Sequence, residues 1–120
     1  MAAGFLDADD AASYLHDWQA RIDRKAAATQ AMSDRLSRLQ VRAADDNGLT
    51  EVTVDSAGAL VDIRFTERIQ RVAPEAVARA VLAAHRNARR QAGDRSRQIV
   101  TETLGSDSVA ARAIAERWER

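Results

Sequence analysis

From about residue 8 to Leu39 the apolar positions recur with a helical period. Leu15, Ile22, Thr29 and Leu36 stand seven residues apart, and Trp18, Lys25, Met32 and Leu39 form a second series three residues on. A seam of this kind needs a partner helix or sheet to bury it. Lys25 and Thr29 interrupt it midway, so packing is expected locally at both ends and not as one continuous coiled coil. Asp7 is suited to cap the helix. The period then changes from 3.6 to 2, the clearest structural signal in the chain. Val52 and Val54 alternate with Glu51, Thr53 and Asp55. After the turn Asp55-Ser56-Ala57-Gly58, the residues Val61, Ile63 and Phe65 alternate with Asp62 and Arg64. This predicts a hairpin with Gly58 free to take positive φ. An earlier turn, Asp45-Asp46-Asn47-Gly48, lets residues 41–44 serve as a first strand, which completes a three-stranded antiparallel meander.

Residues 66–73 read as a connection. Pro74 and Glu75 suit the first turn of a second long helix, with an apolar stripe of Val77, Ala80, Val81, Ala84 and Ala88. Gly93 is expected to end or bend it; Ile99, Val100 and Leu104 carry the pattern on to Gly105, which stops it. Ser106 then caps a short final helix bearing Val109, Ala113, Ile114 and Trp118. The expected class is therefore α+β: long helix, meander, second long helix, short C-terminal helix. One domain over residues 1–104 and a helical extension over 105–120 account for the chain.

The core this pattern supports is thin. Of 120 residues 46% are hydrophobic, yet nearly half of those are alanine and aromatic residues make up only 4%. Alanine contributes little at roughly 25 cal/mol per Å² of apolar surface, so self-association is expected to supply the missing burial. The chain has no cysteine, which removes disulfides, thiolate zinc sites and cysteine nucleophiles and is compatible with a reducing compartment. No apolar run approaches the ~20 residues of a membrane span, and the first ten residues turn acidic where a signal peptide would be basic. A cytoplasmic location is expected.

Formal net charge is zero, but the total conceals a segregation along the chain. Residues 18–44 carry +4 and residues 68–97 carry +6, whereas residues 1–17 carry −4, residues 45–67 carry −5 and residues 98–120 carry −1. Lys25 is the only lysine. On the second helix Arg79, Arg86, Arg90 and Arg97 recur at spacings that place them along one stripe, with Arg89 at its edge. On the first, Arg21, Arg24, Lys25, Arg35 and Arg38 exceed their neighbours Asp17, Asp23 and Asp34. Arginine grips phosphate or carboxylate through a planar fork of donors. Two readings stand: an electrostatic track for phosphates, or a solvated face of ion pairs worth only ~0.3–0.5 kcal/mol each.

Catalytic chemistry finds little footing. His16 and His85 have no second histidine three or four residues away, so a helix-borne metal pair is absent. No nucleophile elbow, phosphate-cradling loop or dinucleotide-binding glycine turn occurs. The paired carboxylates Asp9-Asp10 and Asp45-Asp46 fall at a helix start and in a turn, where Asp bonds local backbone. No reaction, metal, cofactor or small-molecule substrate is expected.

Three segments, residues 48–55, 56–65 and 74–88, taken in order after a long helix, resemble the YbaB/EbfC family of bacterial nucleoid-associated proteins, and the alanine and arginine content resembles an actinobacterial branch of it. The resemblance implies a YbaB-like α-β-β-β-α domain and a homodimer whose meanders join, with Val52, Val54, Val61, Ile63 and Phe65 at the dimer interface and long helices projecting like tweezers. It implies duplex DNA as the partner, bound without strong sequence preference by Arg21, Arg24, Lys25, Arg35, Arg38, Arg79, Arg86, Arg89, Arg90 and Arg97. It also implies an alternative, a protein-interaction or chaperone-like role in a branch associated with type VII secretion. No aromatic residues are interleaved with the arginines, so stacking on single strands is not expected and contacts to DNA should be phosphate-led, weak and salt-sensitive.

Overall fold

The computed structural model describes residues 8–105 together with residues 114, 116 and 117. Helix α1 (Ala8–Arg38) leads into strands β1 (Gln40–Ala44), β2 (Thr50–Asp55) and β3 (Leu60–Phe65). A 3-10 helix (Glu67–Arg71) then leads into helix α2 (Pro74–Leu104). The strands form one antiparallel sheet in the order β1-β2-β3. The α+β class and the meander are as the periodicity predicts. The short final helix expected from Ser106 onward falls largely outside the described residues.

Turn chemistry fixes the register. Asp45 Oδ1 accepts from the backbone N–H of Leu49 (2.8 Å) and Thr50 (2.9 Å), and its Oδ2 accepts from Asn47 (3.1 Å). Gly48 supplies the positive φ of 68° that this turn requires. The second turn repeats the device: Asp55 Oδ1 accepts from Ala57 and Ala59, and Gly58 takes φ 81°. These pairings set Val41 opposite Val54 and Ala43 opposite Val52, and Val52 opposite Ile63. A bulge after Thr53 then places Val54 opposite Leu60 and leaves Val61 as the extra residue.

One face of the sheet receives α2. Ala84 and Ala88 are fully buried against Val41, Ala43, Val52 and Val54, with Ala92, Leu39 and Ile99 extending the cluster. Small side chains bring the helix backbone close to the valines. Helix α2 lies chiefly over β1 and β2, so β3 is exposed along its whole length. Val52 and Val54, expected at a dimer interface, are instead 0% exposed inside the subunit, because the central strand is flanked on both edges and roofed by the α2 alanines. Val61, Ile63 and Phe65 remain at the surface, 50%, 37% and 50% exposed.

Two further expectations are corrected. Gly93 does not end α2, which runs unbroken to Leu104, and the glycine is buried. From Ala80, Ala84 and Ala88 to Ser96 and Val100, the buried stripe drifts by about 140° around the helix axis, because residues four apart are offset by about 40° at 3.6 residues per turn. The first half of α2 thus faces the sheet and the second half faces α1. Among the described residues, α1 also packs at one end only, not at both. Met32 and Leu36 join the core and Leu39 is buried just past the helix end, while Tyr14, Leu15, Trp18 and Ile22 are 42–59% exposed. The molecule is accordingly a rod, 88 × 22 × 15 Å.

Candidate polyanion interface

The basic residues singled out from the sequence fall into distinct settings. Arg79, Arg86 and Arg90 lie on the face of α2 turned away from the sheet, which follows from their spacing relative to the buried Ala80, Ala84 and Ala88. Arg79 and Arg86 form no side-chain ion pair or hydrogen bond with any described residue, and Arg90 donates to Asn87 Oδ1 at 3.1 Å. Arg21, Arg24 and Lys25 project from the exposed half of α1, and Arg38 sits at its end. The two groups are not brought together within one subunit.

Besides Arg90, three of the ten candidates are partly engaged. Arg35 Nη2 meets Glu102 Oε1 at 2.9 Å, tying α1 to α2. That hydrogen bond and charge hold the Glu102 carboxyl below the usual glutamate value. Arg97 pairs with Asp94. Arg89 Nη1 donates to Gly58 O at 3.5 Å, and His85 Nε2 lies 3.3 Å from the same carbonyl. Both therefore clasp the β2–β3 hairpin to α2, a structural task that uses part of their polar capacity.

The structure adds two arginines that periodicity did not single out. By its sequence the stretch 66–73 is a plain connection, but the 3-10 helix there (Glu67–Arg71) carries Arg68 and Arg71 to the end of the sheet. Arg68 Nη1 donates to Asn47 O at 3.0 Å. Arg71 lines a cleft of about 510 Å³ with Arg68, Asn47, Leu49 and Ala76. A neighbouring cleft of about 260 Å³ shares Asn47, Leu49 and Ala76 and is lined on its far side by Arg79 and Arg86. A run of four arginines therefore borders the start of α2, in a depression beside the β1–β2 turn. The positive segment total for residues 68–97 was the available signal, but only the fold shows that its first two arginines join the stripe.

Asp45 and Asp46 also border the smaller cleft. Burial by itself would push the Asp45 carboxyl up, yet the N–H groups of Thr50, Asn47 and Leu49 outweigh it and hold the group below its ordinary value of 3.8. Its charge is therefore spent on the turn backbone, and Asp46 is the carboxylate left facing the arginines. Among the described residues, no cluster of three His, Asp or Glu side chains could hold a metal ion, and no helix is long and apolar enough to cross a membrane.

Comparison with known proteins bears on the family and the fold. The profile of the YbaB/EbfC DNA-binding family matches residues 15–107. The fold is similar to the crystal structure of an uncharacterized protein from Helicobacter pylori, with a TM-score of 0.51 and 13% identity, covering 84% of this chain and 100% of that one. No curated protein matches the chain.

Proposed function

The chain belongs to the YbaB/EbfC DNA-binding family, and from that premise we propose that it is a nucleoid-associated, non-enzymatic protein that binds duplex DNA as a homodimer without sequence preference. The observation that carries the reading is the outward stripe Arg79, Arg86 and Arg90, continued by Arg68 and Arg71, in which Arg79, Arg86 and Arg71 have no carboxylate partner among the described residues. Cations without an ion-pair partner on an exposed helix face are available to phosphates, which carry no sequence information.

Dimerisation is supported by β3. It is an edge strand with unpaired backbone groups, and it exposes Leu60, Val61, Ile63 and Phe65. An uncovered apolar edge of this kind invites another strand, and pairing two β3 edges would join the sheets and double the arginine surface. Light scattering is expected to give twice the chain mass, and Ile63→Asp to reduce it to that of one chain.

The DNA reading is tested by titrating unrelated duplexes at several salt concentrations. If a dimer contacts about six phosphates, log affinity against log salt should fall with a slope near −5. Replacing Arg79, Arg86 and Arg90 with Glu should abolish binding, while Arg97→Glu, already paired with Asp94, should weaken it less. A flat salt response would overturn the reading. Absence of binding even at low salt would favour the protein-interaction role, to which the exposed Trp18 and Ile22 of α1 lend specific support.

A further inference from the structure

The four arginines at the start of α2 come from two elements and border one depression. Arg68 and Arg71 stand on the 3-10 helix and line the larger cleft, Arg79 and Arg86 stand on α2 and line the smaller one, and the clefts share Asp46, Asn47, Leu49 and Ala76. A duplex backbone laid along α2 would be served by the helical stripe alone. Arg68 and Arg71 reach the same depression from a second element, and guanidinium forks gathered around a concavity suit a compact anion.

The backbone around this depression is already cross-tied. Thr66 Oγ1 donates to Gly48 O at 2.7 Å, the Thr66 N–H to Leu49 O at 3.0 Å and Arg68 Nη1 to Asn47 O at 3.0 Å. The start of the 3-10 helix is thereby fastened to the β1–β2 turn that Asp45 organises, and a site held in advance loses less on ordering when it binds. Positive charge is in excess, since four arginines and two aspartates line the clefts. Asp45 is committed to the N–H groups of its turn. Asp46 lines both clefts, yet it forms no ion pair with any of the four arginines.

We propose that the joined clefts are a site for a small free polyphosphate, an anion of two or more linked phosphate groups, gripped by Arg71, Arg79 and Arg86 while Arg68 braces the turn. The larger cleft, about 510 Å³, lies within the ~300–1,000 Å³ of small-molecule sites. Its apolar side chains Leu49 and Val72 give a nucleoside attached to the phosphates a surface to lie on. Arg79 and Arg86 belong to the proposed DNA stripe as well, so a bound polyphosphate competes with DNA for two of its cations. The site itself does not depend on the DNA reading.

The test is titration calorimetry of the full chain with inorganic triphosphate, at low salt and without divalent cations. Saturable binding at one site per chain is expected, with orthophosphate about tenfold weaker because it engages fewer forks. Arg71→Gln should weaken triphosphate binding about tenfold, and Asp46→Asn should strengthen it about threefold by removing a carboxylate that repels the anion. Arg95→Gln takes the same charge from α2 at a different cleft and should leave the affinity within about twofold. No saturable binding, or equal losses from Arg71→Gln and Arg95→Gln, overturns the proposal, the second outcome reducing it to diffuse attraction. ATP separates the two sources of linked phosphates: a gain over triphosphate assigns the site to a nucleotide, and no gain assigns it to an inorganic chain. Triphosphate binding by a protein that ignores duplexes leaves this site standing without the DNA reading, whereas duplex binding with no triphosphate site removes this inference alone.

Discussion

Helices α1 and α2 are each 31 residues long and rich in alanine, yet α1 buries no residue and α2 buries eight. The difference runs against size. The α2 residues that disappear into the core are mostly Ala, Gly and Ser, whereas α1 keeps Tyr14, Leu15, Trp18 and Ile22 at the surface. Burial here is decided by which helix is brought up to the sheet and by how closely its backbone approaches, not by how apolar its side chains are. Alanine at positions 84 and 88 lets α2 lie directly on Val52 and Val54, and the sheet has only one face to offer. Helix α1 receives what remains, the second half of α2.

Substitutions on the two helices sharpen this contrast. Ile99 is one of the few large side chains that α2 buries, at 3% exposure, and Ile99→Ala should cost about 2–5 kcal/mol in chemical denaturation. Next in size, Ala88→Leu should destabilise by about 1–3 kcal/mol, because a fully buried position against the valine face has no room for three more carbons. A neutral Ala88→Leu would mean that α2 does not need small residues to sit where it does. Ser96 is 1% exposed and its Oγ has no hydrogen-bond partner among the described residues. Ser96→Ala should therefore stabilise by about 1 kcal/mol, by removing an unmet hydroxyl and improving helix propensity. The smallest effect belongs to α1: Leu15→Ala, at 59% exposure, should stay within about 0.5 kcal/mol. If it cost as much as Ile99→Ala, the two helices would be equivalent after all.

Much of the candidate site followed the same division. The arginine stripe of α2 was legible because spacing along a helix fixes a face, and Arg79, Arg86 and Arg90 do share one. That Arg68 and Arg71 extend it was not legible, since their 3-10 helix has too few turns to show a period and its direction is set by the end of β3. The engagement of Arg35 with Glu102 joins residues 67 positions apart, and the hold of His85 and Arg89 on Gly58 spans a hairpin and a loop. No local pattern encodes such pairs.

By itself the sequence determined the elements: two helices from the 3.6 period, three strands from the period of 2, and turns from Asp45, Gly48, Asp55 and Gly58, because each depends on contacts among residues close in the chain. The tertiary structure alone decided which face each element uses. It placed Val52 and Val54 inside the subunit and left β3 outside, carried α2 through Gly93, and seated only one end of α1. Those outcomes depend on competition among surfaces for a single sheet face, and that competition exists only once the elements are assembled.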